Sequence, residues 1–337
     1  MEDRFDMRLR AIPAGALHVL LRRLSEIEAF RGWWEGSRKP APPALLRLRD
    51  SVISRSAAAS IRRTGAYPSP ASLGYAEALR AVFDGHEAMP PAEDRIAALH
   101  AALFRHVPGE RGRAGKYKSA PPPPGEDRRF IREPVALRPP GPLLVPAQME
   151  TLTGWLPRRL EGGEFHPLLV VAAYLLEFLA IRPFEDGNKR LSRLLTNLLL
   201  MRCGHAYLPY GSLDAAIAGR RDEYYIALRR SQASRNLPRP DISPWMFAFL
   251  DALEIQQREA REALARRPEE GALSANQSAV MVLAAKGVEV TNRRVAGELG
   301  LPRETAKQTL NRLVSLGALR RLGAGRAARY RLPEGGD

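Results

Sequence analysis

The sequence predicts a predominantly α-helical chain that ends in a small domain combining short helices with a two-stranded hairpin. Three observations predict it. Apolar residues recur at helical spacing through most of residues 1–105 and 147–258. Residues 108–146 carry Pro121 to Pro124, then Pro134, Pro139, Pro140, Pro142 and Pro146, which excludes a long helix there. Residues 275–333 run through three short helical patterns, the first an apolar-faced helix over Ala275 to Ala285, into a Gly-rich stretch bounded by strand-length segments. A chain of 337 residues has room for two or three domains at about 100–200 residues each. The expected division is a helical domain over 1–105, a helical core with a flap over 106–260, a linker over 261–274 and the small domain over 275–333.

Taken in order, Ala16 to Phe30 places Leu17, Leu20, Leu21, Leu24 and Ile27 on one side of a helix. Ala71 to Phe83 and Pro91 to Phe104 read the same way. In the Pro-rich stretch, Arg129 to Ile131 is a short extended piece, so a hairpin or flap over a surface is expected. Long irregular segments in compact proteins often serve as lids or binding loops. Helices resume at Ala147 to Leu156, Pro167 to Ile181, Gly187 to Arg202, Leu213 to Arg230 and Pro244 to Ala260. Arg266 to Ser274, with Pro268, Glu269, Glu270 and Gly271, reads as a linker.

Composition narrows the class. The longest apolar run, Leu168 to Ile181, contains Glu177 and falls short of the ~20 residues a membrane span needs; it reads as a buried core helix. Cys203 is the single cysteine, so no intramolecular disulfide can form, and the charged start of the chain lacks the pattern of a signal peptide. A cytoplasmic, bacterial-type protein without membrane partners is expected. The net charge of +15, from 52 basic and 37 acidic residues, favours an anionic partner. Yet 46 of the basic residues are Arg and 6 are Lys, as a GC-rich coding sequence would yield, so the placement of charge carries more weight than its sum.

One stretch is informative: Arg182-Pro-Phe-Glu-Asp-Gly-Asn-Lys-Arg-Leu-Ser-Arg193, between two helical patterns. Pro183 stops the first helix, and Gly187 permits a tight turn with close approach of a ligand. The second helix starts near Asn188, and the unpaired N–H groups of its first turn, together with the helix dipole, form an anion site. Arg190 and Arg193 are three apart and can share a face. Arg182, Gly187, Asn188, Lys189, Arg190 and Arg193 are therefore the candidate phosphate- or nucleotide-binding residues. Asp186 is the candidate for a Mg²⁺ bridging phosphate oxygens, and Phe184 would anchor the loop in the core.

This string resembles the signature of the Fic family, His-x-Phe-x-(Asp/Glu)-Gly-Asn-(Gly/Lys)-Arg-x-x-Arg, at every position except the first, where Arg182 stands in place of His. The start of the apolar helix at His166-Pro-Leu, the pattern Arg221-x-x-Tyr224-Tyr225-x-x-Leu228, and Asp241-x-x-x-Trp245 are also similar to the family. So is Gly115-Lys-Tyr117, ahead of the Pro-rich flap. The resemblance spans roughly residues 10–258. It implies a Fic helical core with a β-hairpin flap, and ATP with Mg²⁺ as the cofactor pair for AMP transfer to a protein hydroxyl. In the family the motif His takes the hydroxyl proton. A guanidinium has no accepting lone pair, so Arg182 cannot do this, and no catalytic residue is assigned. His166 lies one helix away, roughly 20 Å at about 1.5 Å per residue. The family's inhibitory helix, (Ser/Thr)-x-x-x-Glu-(Gly/Asn), finds its best local match in Ala58-Ala-Ser-Ile-Arg62-Arg63, with Ala58 at the hydroxyl position and Arg62 at the Glu position.

In the last region, Thr291 caps a helix over Asn292 to Leu299, Gly300-Leu-Pro302 makes a turn, and Arg303 to Leu316 forms a second helix with Ala306, Leu310, Leu313 and Val314 inward. Gly317 to Leu332 reads as two strands around a Gly-rich turn. The whole looks like a winged helix-turn-helix. Arg303, Thr305, Lys307, Gln308, Asn311 and Arg312 form the outward face, suited to base edges in the major groove. Arg320, Arg321, Arg326 and Arg329, with Arg331, form a phosphate-contacting wing. Lys286 to Arg331 holds 11 basic and 3 acidic residues, over half of the excess charge. DNA is the expected macromolecular partner, with a homodimer where two half-sites are read.

Three function classes follow. The leading one is a DNA-binding transcriptional regulator whose impaired Fic loop senses a nucleotide-like ligand. The second is an adenylyltransferase working without the His, and the third an interaction protein with a relic pocket.

Overall fold

The computed structural model describes residues 4–37, 42–61, 69–110, 112–120, 139–235, 237–265, 274–285, 290–315, 318–323 and 328–331. The chain divides into two compact units, 1–265 and 266–337. The piece Arg129 to Ile131, together with Arg62, Arg63 and Arg326, lies outside the described residues.

The first unit is built from α1 (Arg4–Arg10), α2 (Ala14–Gly36), α3 (Pro42–Ser60), α4 (Pro70–Gly85), α5 (Glu93–Leu103), α6 (Val145–Gly162), α7 (Pro167–Ile181), α8 (Asn188–Arg202), α9 (Leu213–Gly219), α10 (Arg221–Ser234) and α11 (Ser243–Ala265). Helix α7 is the axis of this unit. Every residue from Leu168 to Ile181 is buried, and a helix apolar on all sides is stable only when surrounded by others. Helices α1, α6, α8, α10 and α11 supply that surround. The one charge in α7, Glu177, is 2% exposed; Arg8 of α1 pairs with it, as does Arg235 at 3.0 Å. Trp245 of α11 ties down the other side, its indole N–H donating to the Ala172 carbonyl at 2.7 Å. Among the described residues no helix is long and apolar enough to cross a membrane.

Three expectations needed correction. Helix α2 buries Leu20, Leu24, Ile27, Phe30 and Trp34, but Leu17 and Leu21 are 37% and 52% exposed; the buried stripe is narrower than the apolar one because neighbours cover a single side of this helix. The segment Leu213 to Arg230 forms two helices, broken at Arg220, whose φ of −126° and ψ of 38° leave the helical region. Gly219, a weak helix former, precedes that break, and it redirects α10 relative to α9. Helix α11 runs to Ala265, beyond the expected start of the linker at 261. Helices from both sides of residue 105 share one core, with α3 packed on α9 and α4 on α8.

The second unit has its own core of Val280, Leu283, Val290, Val295, Ala306, Leu310, Leu313, Leu319 and Tyr330. It consists of α12 (Ala275–Ala285), α13 (Asn292–Glu298), α14 (Arg303–Ser315), β1 (Arg320–Leu322) and β2 (Arg329–Arg331). The strands are antiparallel, Arg321 facing Tyr330. Val290 and Tyr330 exchange backbone hydrogen bonds of 2.9 and 2.8 Å, which seats the start of α13 against the sheet. Thr291 caps α13, accepting from Arg294 N–H at 3.2 Å.

Candidate functional site

The loop between α7 and α8 is held by its own Asn188 and by Lys118 and His100 from elsewhere in the unit. Arg182 ends α7 in the left-handed region (φ 48°, ψ 66°), the one non-Gly residue with positive φ among those described. Such a conformation costs on the order of 1 kcal/mol or more and persists only where the surroundings hold it. They do so here. Its N–H donates to Phe178 O at 3.0 Å. Buried Lys118 donates from Nζ to Ile181 O at 2.9 Å, and from its backbone N–H to Pro183 O at 2.8 Å. Burial, with Arg182 close by, pulls the Lys118 ammonium down to about 8.

Phe184, 1% exposed, stacks on His100 with ring centroids 3.9 Å apart and planes 9° from parallel. His100 Nδ1 accepts from Gly115 N–H at 2.9 Å, so its Nε2 carries the proton and donates to Asp186 O at 3.0 Å. Burial lowers its pKa to about 4, which keeps this clamp neutral. Asn188 closes the loop from within: its amide accepts from Phe184 N–H at 3.0 Å and donates to Phe184 O at 2.7 Å. The Asn188 side chain is thus spent on the loop, and its backbone N–H is the group it can offer to an anion. Gly187 has φ 77°, and a Cβ there would stand 2.9 Å from the Phe104 ring. As N-cap it supplies no side chain to the first turn of α8, so that turn opens uncapped.

It opens into a cavity of about 370 Å³. Among the residues that line it are Arg182, Asp186, Gly187, Asn188, Lys189, Arg190 and Arg193, so the loop residues named from the sequence as phosphate or metal ligands meet there. They are not equally available. Lys189 Nζ lies 4.7 Å from the centre of the Tyr225 ring. Arg190 lies over Phe104 at 4.9 Å and pairs with Asp186 at 3.3 Å. Arg193 is 2.6 Å from Asp214, with side chains 11% and 1% exposed, and also reaches Ser60 O at 3.4 Å. Burial works against its charge, but the Asp214 carboxylate more than offsets this and holds its pKa above the ordinary value. Tyr75 donates to Asp214 at 2.7 Å, and its own phenol is pushed up by burial beside that carboxylate.

Among the described residues no histidine lines the cavity. His166 caps the opposite end of α7, its Nδ1 accepting from Leu168 N–H at 3.2 Å. Asp186 projects a largely exposed carboxylate. Among the described residues no three His, Cys, Asp or Glu are grouped to hold a metal. A single carboxylate suits Mg²⁺ where phosphate oxygens complete the shell, so Asp186 fits the ion together with a phosphate ligand.

The sequence reading did not assign Ser60, Asp214, Arg221, Tyr225, Arg229 or Gln232 to the site, although all line the cavity. For Arg221, Tyr225 and Arg229 a signal existed, since i, i+4, i+8 is one stripe of a helix. For Asp214 and Ser60 none did: they arrive on α9 and at the end of α3. Ala58, at the hydroxyl position of the expected inhibitory motif, lies in that last turn of α3, and its neighbours Ala59, Ser60 and Ile61 border the cavity.

In the second unit Arg303, Lys307, Gln308, Asn311 and Arg312 of α14 are exposed and Thr305 is half-buried. Arg320, Arg321 and Arg329 are exposed on the two strands.

Residues 90–200 match the Fic/DOC family. A protein adenylyltransferase Fic of Aedes aegypti is 42% identical over 67 residues, 20% of this chain and 13% of that protein. One of Nematostella vectensis is 33% identical over 112 residues, 33% of this chain and 23% of that protein. The matched segment therefore spans less than a quarter of either relative. Among solved structures, a Fic family protein of Desulfovibrio desulfuricans G20 aligns over 96% of this chain and 98% of its own, with a TM-score of 0.54 and 23% identity. Fic-1 of C. elegans, residues 134–508, aligns over 74% of this chain and 72% of its own, with a TM-score of 0.55 and 17% identity.

Proposed function

We propose, for a chain that belongs to the Fic/DOC family through its residues 90–200, that it is a DNA-binding regulator in which the family's anion cradle senses a nucleotide and hydroxyl activation is impaired. One observation carries the reading: Arg182 stands at the end of α7, beside the uncapped first turn of α8. The cradle keeps what holds phosphate, namely free helix N–H groups, Lys189 and Arg190. It lacks a group that can take a proton from an attacking hydroxyl, because a guanidinium only donates. The two carboxylates present do not replace one. Asp214 is buried and committed to Arg193 and Tyr75, and Asp186, paired with Arg190, is the carboxylate we assign to Mg²⁺. ATP or another nucleotide with Mg²⁺ is the ligand class that such donors suit.

DNA contact is assigned to the second unit, read as a winged helix. Its support is the exposed α14 face, whose Arg, Gln and Asn side chains can make paired hydrogen bonds to base edges, and the arginines of the strands, which suit phosphates. A dimer on a two-fold site fits this reading.

The test has two arms. Purified protein incubated with labelled ATP and Mg²⁺ is expected to transfer no label to itself or to lysate proteins, and R182H is expected to create or raise labelling. Robust wild-type labelling lost in R193A would overturn the impaired-enzyme reading in favour of the transferase activity named for the curated relatives. The wild type is expected to retard a fragment of its own promoter in a salt-dependent manner, and equal affinity of R303E/K307E would remove α14 as the recognition helix.

A further inference from the structure

Arg190 and Arg193 stand three residues apart on α8 and both line the cavity, about 4.5 Å from each other along the helix axis. A phosphate seated on the first turn of α8 meets Arg190. A longer phosphate chain laid along the helix reaches Arg193. The two arginines differ in the carboxylate that each already holds. Asp186 pairs with Arg190 at 3.3 Å from a side chain that is 80% exposed. A solvated partner of this kind is exchanged for a phosphate at little cost. Burial pulls the Arg190 pKa down, so an arriving anion improves its surroundings.

That exchange is closed to Arg193. The Asp214 side chain is 1% exposed and lies 2.6 Å from it, and Tyr75 of α4 donates to the other Asp214 oxygen at 2.7 Å. The start of α9, which carries Asp214, is pinned from two more sides. The hydroxyls of Ser212 and Ser56 of α3 share a hydrogen bond of 2.7 Å, and Ser212 N–H donates to Glu259 of α11 at 2.9 Å. Displacing the carboxylate would strand a buried charge, which is strongly unfavourable. With Asp214 in place, a phosphate approaching Arg193 meets a guanidinium already neutralised and a like charge beside it.

We propose that Asp214 sets how many phosphates the cavity accepts: by occupying Arg193 as a built-in anion, it restricts the ligand to a nucleoside monophosphate held by the α8 N-terminus and Arg190. This rests on the nucleotide-sensing reading and narrows its ligand class.

Titration calorimetry of the full chain with AMP and with ATP, both in the presence of Mg²⁺, separates the two claims. The wild type is expected to bind ATP no more than threefold more tightly than AMP. D214N removes the charge and keeps the shape, and it is expected to raise the ratio of ATP to AMP affinity at least tenfold. If the wild type already prefers ATP by more than threefold, or D214N leaves the ratio where it was, Asp214 does not set the phosphate count and nucleotide sensing stands. If neither nucleotide binds the wild type, nucleotide sensing itself fails, and this inference with it. The comparison of the two ligands on the wild type needs no variant, so poor folding of D214N would leave the inference open to refutation.

Discussion

The chain carries two cation-rich surfaces built on opposite principles. In the cavity the cations are partly withdrawn from water and three of them have a built-in companion: Asp214 for Arg193, Asp186 for Arg190, the Tyr225 ring for Lys189. On α14 the charges stand in solvent. Lys307 reaches Glu304 at 3.6 Å, with both side chains more than half exposed, an arrangement worth roughly 0–1 kcal/mol. Buried charges fix geometry and are costly to strand. Exposed ones leave stability almost untouched and supply long-range attraction that salt screens. The first kind suits discrimination among small anions, the second suits a polyanion.

The comparison can be tested in descending order of effect. D214A strands the Arg193 guanidinium in the core and is expected to cost about 3–5 kcal/mol in urea unfolding of the first unit. A loss below 1 kcal/mol would mean that the cavity's charges are as hydrated as those of α14. Acid should act on the first unit alone, because all six histidines precede residue 206. His100 is held down at about 4 and His205 at about 3, both by burial. The unfolded chain binds these protons near pH 6.5 and the folded one does not. The stabilisation is therefore complete above pH 6.5 and drains away as pH falls toward 4, at about 1.4 kcal/mol per unit for each group. Melting curves across that range should show the first unit weakening by a few kcal/mol while the second does not shift; parallel shifts in both would contradict the assignment.

G187A forces a side chain into positive φ against Phe104 and is expected to cost about 2 kcal/mol, with nucleotide affinity falling alongside in the same preparation. R303E/K307E is expected to weaken DNA binding at least tenfold and to lower the salt slope by about 2. Its stability should stay within about 0.5 kcal/mol of wild type. A destabilised variant with unchanged DNA affinity would reverse the roles drawn for α14.

Much was legible from local pattern. The span Pro167 to Ile181 needed only continuous apolarity and a following proline. Gly187 and Asn188 were legible because the left-handed turn and the loop closure use residues adjacent in sequence. Less legible was α3, whose Ala, Ser and Arg composition gives a weak apolar stripe. The break at Arg220 was hidden because the residues on both sides keep helical periodicity.

The order of residues by itself determined the helical class, the position of the Arg182 to Arg193 loop between two helices, and the guanidinium that opens it. These are properties of neighbours along the chain, governed by backbone propensity and side-chain chemistry. Tertiary structure alone decided that Arg193 is matched by Asp214, that His100 locks the loop, and that α10 lines the far wall with Arg221 and Arg229. Each of those depends on which helix faces which, and partners separated by tens of residues meet only when the core has packed.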